Sequence, residues 1–267
     1  MGLPRDRREG LKLATSAALK IKPMPDTKKW LSQKPIPTHE RLIFALDTTD
    51  IEEAKRLVDE LGDQVHFYKL GLELFVAGGY FELLEWLAKK EKKSFVDLKF
   101  FDVPQTVASA VRQLRGKNAH FVTVHGNDEI VRAASSEKNG VKILAVTVLT
   151  SMNEADIEEF GYKDISIPQL VLSRARRSLD AGADGVISSG LEAPQLREQL
   201  GDRFLIVVPG IRPVANVDDQ KRTVDVEEAF ENGADYIVVG RPIKNAPDRR
   251  AAAAKIQQRI SRLFPSR

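Results

Sequence analysis

The chain of 267 residues contains no cysteine. That excludes disulfides, iron–sulfur clusters, thiolate zinc sites and cysteine nucleophiles. Histidine is scarce at four residues, and tryptophan occurs only twice. No apolar run approaches the ~18 residues that a membrane span requires, so no membrane partner is expected. The first residues lack the apolar stretch of a secretory signal, which makes the cytoplasm the expected location. What is present suits a folded soluble protein, with 42% hydrophobic and 30% charged residues. A chain of this length buries about 70–75% of its unfolded surface and needs no covalent staple.

The formal net charge of +3 is unevenly spread. Residues 1–41 hold ten Lys/Arg against four acids, net +6, and the remaining 226 residues are net −3. The body therefore lacks the concentrated basic face of a nucleic-acid binder, and no nucleic-acid partner is expected. The basic leader ends in Lys34-Pro35-Ile36-Pro37, an extended stretch because each proline disfavours helix at the residue before it. Residues 11–21 (LKLATSAALKI) have the pattern of a short amphipathic helix. The plainer reading is a flexible or surface-docked extension.

Beyond the linker, runs rich in β-branched and aromatic residues recur at 41–47, 66–71, 94–100, 121–126, 142–150, 185–190, 204–210 and 236–241. Several are continuously apolar, as parallel strands covered by helices are. Helix-like segments lie between them, among them 51–61, 80–90, 105–115, 169–180 and 248–264. Asp50, with Glu53 three residues on, predicts a capping box for the first. Ala181-Gly182-Ala183-Asp184 and Asn232-Gly233-Ala234-Asp235 each place glycine where a helix ends before a strand. Eight strands alternating with helices predict an α/β fold, a (β/α)8 TIM barrel. An open doubly wound sheet is disfavoured, since no G-x-G-x-x-G follows the first strand. The expected organisation is a basic extension and linker over residues 1–40 and one barrel domain over 41–267.

Barrel sites lie at the C-terminal ends of the strands. Those positions read Asp47, Lys69, Asp97, Lys99, His125, Thr150 with Ser151, Ser188 with Ser189, Pro209-Gly210 and Gly240-Arg241. Asp97 and Lys99 stand two apart on one strand, so both point to one face. A buried charged pair costs several kcal/mol unless its geometry compensates; it is either a structural salt bridge or a chemical site. Asp102 adds a third charge and Lys69 a fourth from the neighbouring strand. His125 reads as a packing or hydrogen-bonding residue and Trp30 and Trp86 as packing residues, and Ser188 and Ser189 lack a His–Asp partner pattern.

The run Asp97-Leu98-Lys99-Phe100-Phe101-Asp102-Val103-Pro104-Gln105-Thr106 resembles the signature of the orotidine 5′-phosphate decarboxylase family. Other landmarks follow in family order: Ala45-Leu46-Asp47, Lys69-Leu70-Gly71, Val148-Leu149-Thr150-Ser151, Pro209-Gly210-Ile211-Arg212-Pro213, Asp219-Gln220-Lys221-Arg222 and Val239-Gly240-Arg241-Pro242-Ile243. The likeness covers residues 41 to about 264 and leaves out the leader. Phe101, Val103 and Gln105 stand where bacterial relatives usually carry His, Ile and Asn; none is a charged site position.

The resemblance implies decarboxylation of orotidine 5′-monophosphate to UMP and CO2 in pyrimidine biosynthesis, with no metal or organic cofactor. It implies Lys99 as proton donor to C6, with Asp97, Asp102 and Lys69 in the catalytic set. Asp47 and Lys69 would contact the ribose, joined by Thr106 and by Asp102 from a second subunit of a homodimer. Thr150 and Ser151 would meet the base. Gln220, Arg241 and the N–H of Gly240 would hold the phosphate, with Arg212 and Pro209 nearby. Sugar-phosphate enzymes of the same superfamily share D-x-K-x-x-D but use Mg²⁺, with a Glu ligand where this chain has Lys69. A non-catalytic binder using the basic leader to hold RNA or an acidic partner is the alternative of another class.

Overall fold

A computed structural model describes residues 30–212 and 224–265. In chain order the first half runs β1 (Leu42–Ala45), α1 (Ile51–Leu61), β2 (Phe67–Leu70), α2 (Leu72–Ala77), α3 (Tyr80–Lys89), β3 (Lys93–Phe100), α4 (Pro104–Gln113), β4 (Ala119–His125) and α5 (Asp128–Ser136). The second half runs β5 (Lys142–Val146), α6 (Glu154–Glu159), α7 (Ile167–Asp180), β6 (Gly185–Ile187), α8 (Ala193–Leu200), β7 (Leu205–Val208), α9 (Val226–Glu231), β8 (Tyr236–Val239), α10 (Arg241–Lys244) and α11 (Arg249–Leu263). Every strand pairs in parallel with its sequence neighbour, and β8 closes on β1 through Ile43↔Val238. The expected (β/α)8 barrel is the fold.

Strand alternation divides the core into two layers. Ile43, Ala45, Phe67, Phe95, Phe121, Leu144, Val207 and Val238 fill the barrel interior. Leu42, Phe44, Tyr68, Val96, Val122, Ile143, Val208 and Ile237 point outward against the helices. Phe67, Phe121 and Tyr236 meet edge-on or tilted in the lower interior, with centroids 4.9–6.0 Å apart. The interior is thus a packed plug, and only its upper end is left for chemistry.

Local signals explain the element ends. The Asp50 carboxylate accepts from the Glu52 and Glu53 N–H groups, 3.1 and 3.3 Å, and caps α1. The reciprocal half of the expected capping box does not form there; full boxes form at Ser166–Gln169 and Asp225–Glu228. Gly182 and Gly233 take φ of 101° and 107°, the left-handed turn out of α7 and α9. β5 stops at Val146, short of the expected residue 150. There the Thr147 hydroxyl donates to the Ile187 carbonyl at 2.9 Å.

The described part of the N-terminal extension follows the surface-docked alternative. From Trp30 to residue 40 the chain packs across the barrel floor and is no free linker. Ile36 packs against the interior core, and the Thr38 hydroxyl donates to the Phe264 carbonyl at 2.8 Å. Fully buried Asp235 accepts from Ser32 Oγ at 2.5 Å, Lys34 Nζ at 3.0 Å, Arg197 Nη2 at 2.8 Å and the Ile206 N–H at 2.9 Å. A buried carboxylate requires such partners, and the leader supplies two of them. The end of the expected extension, residues 30–40, is therefore packed onto the barrel that follows it. The helix expected at residues 11–21 lies outside the described residues. Among the described residues, no helix is long and apolar enough to cross a membrane.

Candidate active site

The inward parity that builds the plug continues upward into polar residues. Above Ala45 comes Asp47, above Phe67 Lys69, above Phe95 Asp97, and above Phe121 Thr123. On the opposite wall the same parity gives Val146, Ile187, Pro209 and Gly240. A cavity of about 280 Å³ opens at this level. One side of it is charged and the other side is apolar.

The charged side is a chain of alternating sign. Lys69 Nζ lies 3.2 Å from Asp47 Oδ1 and 3.4 Å from Asp97 Oδ2, and Lys99 Nζ lies 2.9 Å from Asp97 Oδ2. Side-chain exposure orders them by depth: Asp97 10%, Lys69 14%, Lys99 35% and Asp47 48%. Burial works against the charge on Asp97, but Lys69 and Lys99, with hydrogen bonds from Lys99 and Thr123, hold its carboxyl below the ordinary range. Burial likewise opposes the charge on Lys69, yet Asp97 and Asp47 outweigh it and hold the ammonium above the ordinary lysine value. Asp97 and Lys69 stay ionised across neutral pH because each faces opposite charge.

β3 reaches this geometry through a bulge. Val96 pairs with Val122 and Phe100 with Val124, so β3 carries two more residues than β4 over that interval. Lys99 takes φ of 48° within it. Such a conformation costs a lysine roughly 1–2 kcal/mol, and it sits beside the charged cluster rather than in a surface turn. Simple alternation aims Asp97 and Lys99 at the cavity, as expected, but it does not anticipate the bulge.

The opposite rim holds the arginines. Gly210, with φ of 77°, turns the chain out of β7. A parallel bridge between Ile211 and Val224 then anchors Arg212, whose backbone N–H meets the Val224 carbonyl at 3.1 Å. Gly240 opens α10, and a Cβ there would stand 3.3 Å from Ala45 Cβ. Arg241 follows it on the rim, and Lys244 Nζ bonds the Asp47 carbonyl, tying α10 to the end of β1.

Of the expected site residues, Asp47, Lys69, Asp97, Lys99, Thr150, Pro209, Arg212, Gly240 and Arg241 line the cavity together. Asp102, Thr106 and Ser151 are exposed and lie outside its lining. Gln220 lies outside the described residues. Sequence reasoning passed over Thr123, and also the apolar wall of Phe95, Val146, Val148, Leu149, Ile187 and Val238. Inward parity was the available signal for all of these but Leu149. Ser188 and Ser189 are buried turn residues; Ser189 Oγ accepts from the Leu191 N–H at 3.1 Å. His125 stacks at 4.8 Å on Phe101. Its pKa is lowered by burial and then by Arg174 and Lys99.

Comparison with known proteins decides the family. The model of the orotidine 5′-phosphate decarboxylase / HUMPS family matches residues 40–256. The chain belongs to this family. The matched region contains every charged side chain of the cavity. A relative from Methylococcus capsulatus named orotidine 5′-phosphate decarboxylase is 56% identical over 237 residues, 88% of this chain and 98% of that one. One of the same name from Stenotrophomonas maltophilia is 48% identical over 242 residues, 89% of this chain and 100% of that one. The crystal structure of orotidine 5′-phosphate decarboxylase from Lactobacillus acidophilus superposes with a TM-score of 0.73 at 34% identity. It covers 85% of this chain and 100% of its own.

Proposed function

We propose that this chain is a carbon–carbon lyase that converts orotidine 5′-phosphate to UMP and CO2, the last step in making UMP de novo. The observation that carries the reading is the alternating chain Asp47–Lys69–Asp97–Lys99 facing an apolar wall, with arginines across the cavity. Family membership and the names of the relatives support it.

Breaking the bond from C6 to the carboxylate leaves its electron pair in the plane of the pyrimidine ring, where resonance cannot spread it. The protein must then stabilise that charge electrostatically. Lys99 supplies the ammonium that attracts the developing carbanion and donates a proton to C6 as CO2 leaves. Its neutral amine regains a proton from water. Asp97, ionised and held by two lysines, keeps Lys99 oriented. Asp47 and Lys69 serve the ribose, Thr150 the base, and Arg212, Arg241 and the Gly240 N–H the phosphate, with Pro209 shaping that end; the family resemblance assigns Ser151 to the base and Gln220 to the phosphate. Loops after strands 7 and 8 are the usual barrel phosphate site, and arginine's fork suits phosphate oxygens.

The working unit in this reading is a homodimer with shared sites. Asp102 sits outside its own subunit's cavity lining, between Phe101 and Val103, which are 65% and 63% exposed. Exposed apolar residues on both sides suit burial against a second copy, which would bring Asp102 and Thr106 to the neighbouring site. The cytoplasm is the proposed location. The reaction needs no metal: Lys69 stands at the second strand end, where its ammonium repels a divalent cation. A spectrophotometric assay of orotidylate loss, run with and without EDTA, tests the reading. Turnover unchanged by EDTA is expected. Loss of turnover with EDTA and its return with Mg²⁺ would favour the metal-dependent sugar-phosphate branch.

A further inference from the structure

Thr123 lies on β4 directly beside the β3 bulge and is fully buried. Its hydroxyl makes two bonds into the charged chain. Oγ1 donates to Asp97 Oδ1 at 2.9 Å, and the Lys99 backbone N–H donates to the same Oγ1 at 2.9 Å. The directions are fixed by chemistry. An ionised carboxylate only accepts and an amide N–H only donates, so the hydroxyl proton must go to Asp97.

The two bonds act on different things. The first fixes the orientation of Asp97 from the side opposite the lysines, since Oδ2 is already taken by Lys99 Nζ at 2.9 Å. The second ties down the amide of the residue whose φ is 48°. A lysine left to itself avoids that region, and strained backbone persists only where its surroundings over-determine it. Thr123 is the side chain that does so here. Replacing it with an apolar side chain would leave the Lys99 N–H and the buried Asp97 Oδ1 without these partners at once.

We propose that Thr123 is a positioning residue for the decarboxylation, setting the backbone of Lys99 and the carboxylate of Asp97 through a single hydroxyl. It touches no substrate itself. The proposal rests on the decarboxylase reading for its activity readout and on geometry alone for its structural one.

The test compares Thr123→Val, which keeps the shape and removes the hydroxyl, with Thr123→Ser, which keeps the hydroxyl. Thr123→Val is expected to lower kcat by about tenfold or more with KM within roughly threefold, because the lost interaction acts on the reacting ammonium. Thr123→Ser is expected to bring kcat back to within about threefold of wild type. Equal kcat in all three proteins overturns the proposal, and so does an equal loss in both variants, which would mark the methyl group as the part that matters. If wild type does not turn over orotidylate, the decarboxylase reading fails by itself. The crystal structure of Thr123→Val then decides: Lys99 leaving the positive-φ region or Asp97 reorienting supports positioning, and unchanged geometry refutes it. Should Thr123→Val not fold, Thr123→Ala is read in the same way. If neither folds, the structure of Thr123→Ser decides, since a serine turned away from both partners with turnover intact contradicts the role.

Discussion

Arg241 and the Asp97–Lys69 pair carry separable predictions at the scale of single residues. Removing a charge-assisted hydrogen bond costs about 1.5–3 kcal/mol. Arg241→Ala is therefore expected to raise KM for the 5′-phosphate while changing turnover of phosphate-free orotidine much less; proportional losses on both would contradict a phosphate role. The pH prediction follows from two opposite shifts. Asp97 has a depressed pKa, so its contribution to stability is present above the ordinary carboxylate value of 3.8 and is lost as pH falls through its folded value. Lys69 has a raised pKa, so its contribution is complete below 10.5 and is lost as pH rises through its folded value. The stability gap between wild type and an Asp97→Asn, Lys69→Gln double variant should stay constant between about pH 6 and 8. Thermal denaturation across that range checks it, and a sloping gap would refute it. The charged members of the cluster were legible in the sequence because charge at a strand end is conspicuous. Thr123 was not, because threonine is an ordinary strand former and nothing in its letter distinguishes a hydroxyl bonded to Asp97 from one bonded to a carbonyl.

Elements were legible where periodicity is long and caps are local. All eight strands lie where their apolar runs are, and the glycines after α7 and α9 adopt the conformation their position demands. The strand end was overrun at β5, because Val148 and Leu149 look like strand residues while the β5–β6 pairing ends at Val146↔Ile187. For the segment before β1 the sequence left the flexible and docked readings open, for a different reason. Its prolines and charge describe a linker in isolation, and the buried acceptor Asp235 that needs Ser32 and Lys34 lies some 200 positions away in sequence. That contact makes a prediction. Deleting residues 1–38 removes Ile36 from the core and two partners from a buried carboxylate, so the Tm measured by calorimetry should fall by several degrees. An unchanged Tm would show that the barrel floor does not depend on this segment.

At the scale of the whole molecule, alternation of strand and helix made the closed barrel legible, and the barrel fixed which end carries the site. The proposed homodimer is also tested at this scale. If Asp102 serves the neighbouring site while Asp97 and Lys99 serve their own, Lys99→Ala and Asp102→Ala homodimers are each severely impaired. Mixed dimers of the two then hold one doubly damaged site and one intact site, and random exchange should restore about a quarter of all sites. No recovery despite demonstrated heterodimers would confine Asp102 to its own subunit. The central claim is that Lys99, held in an alternating charge chain, both stabilises and protonates the carbanion. Its most direct test is the turnover of orotidine 5′-phosphate by wild type and by Lys99→Ala, side by side in EDTA. Wild type is expected to turn over fully and Lys99→Ala to lose at least ~10⁴-fold, the combined scale of electrostatic and general-acid contributions. A Lys99→Ala protein that keeps turnover, or a wild type that has none, would contradict the account.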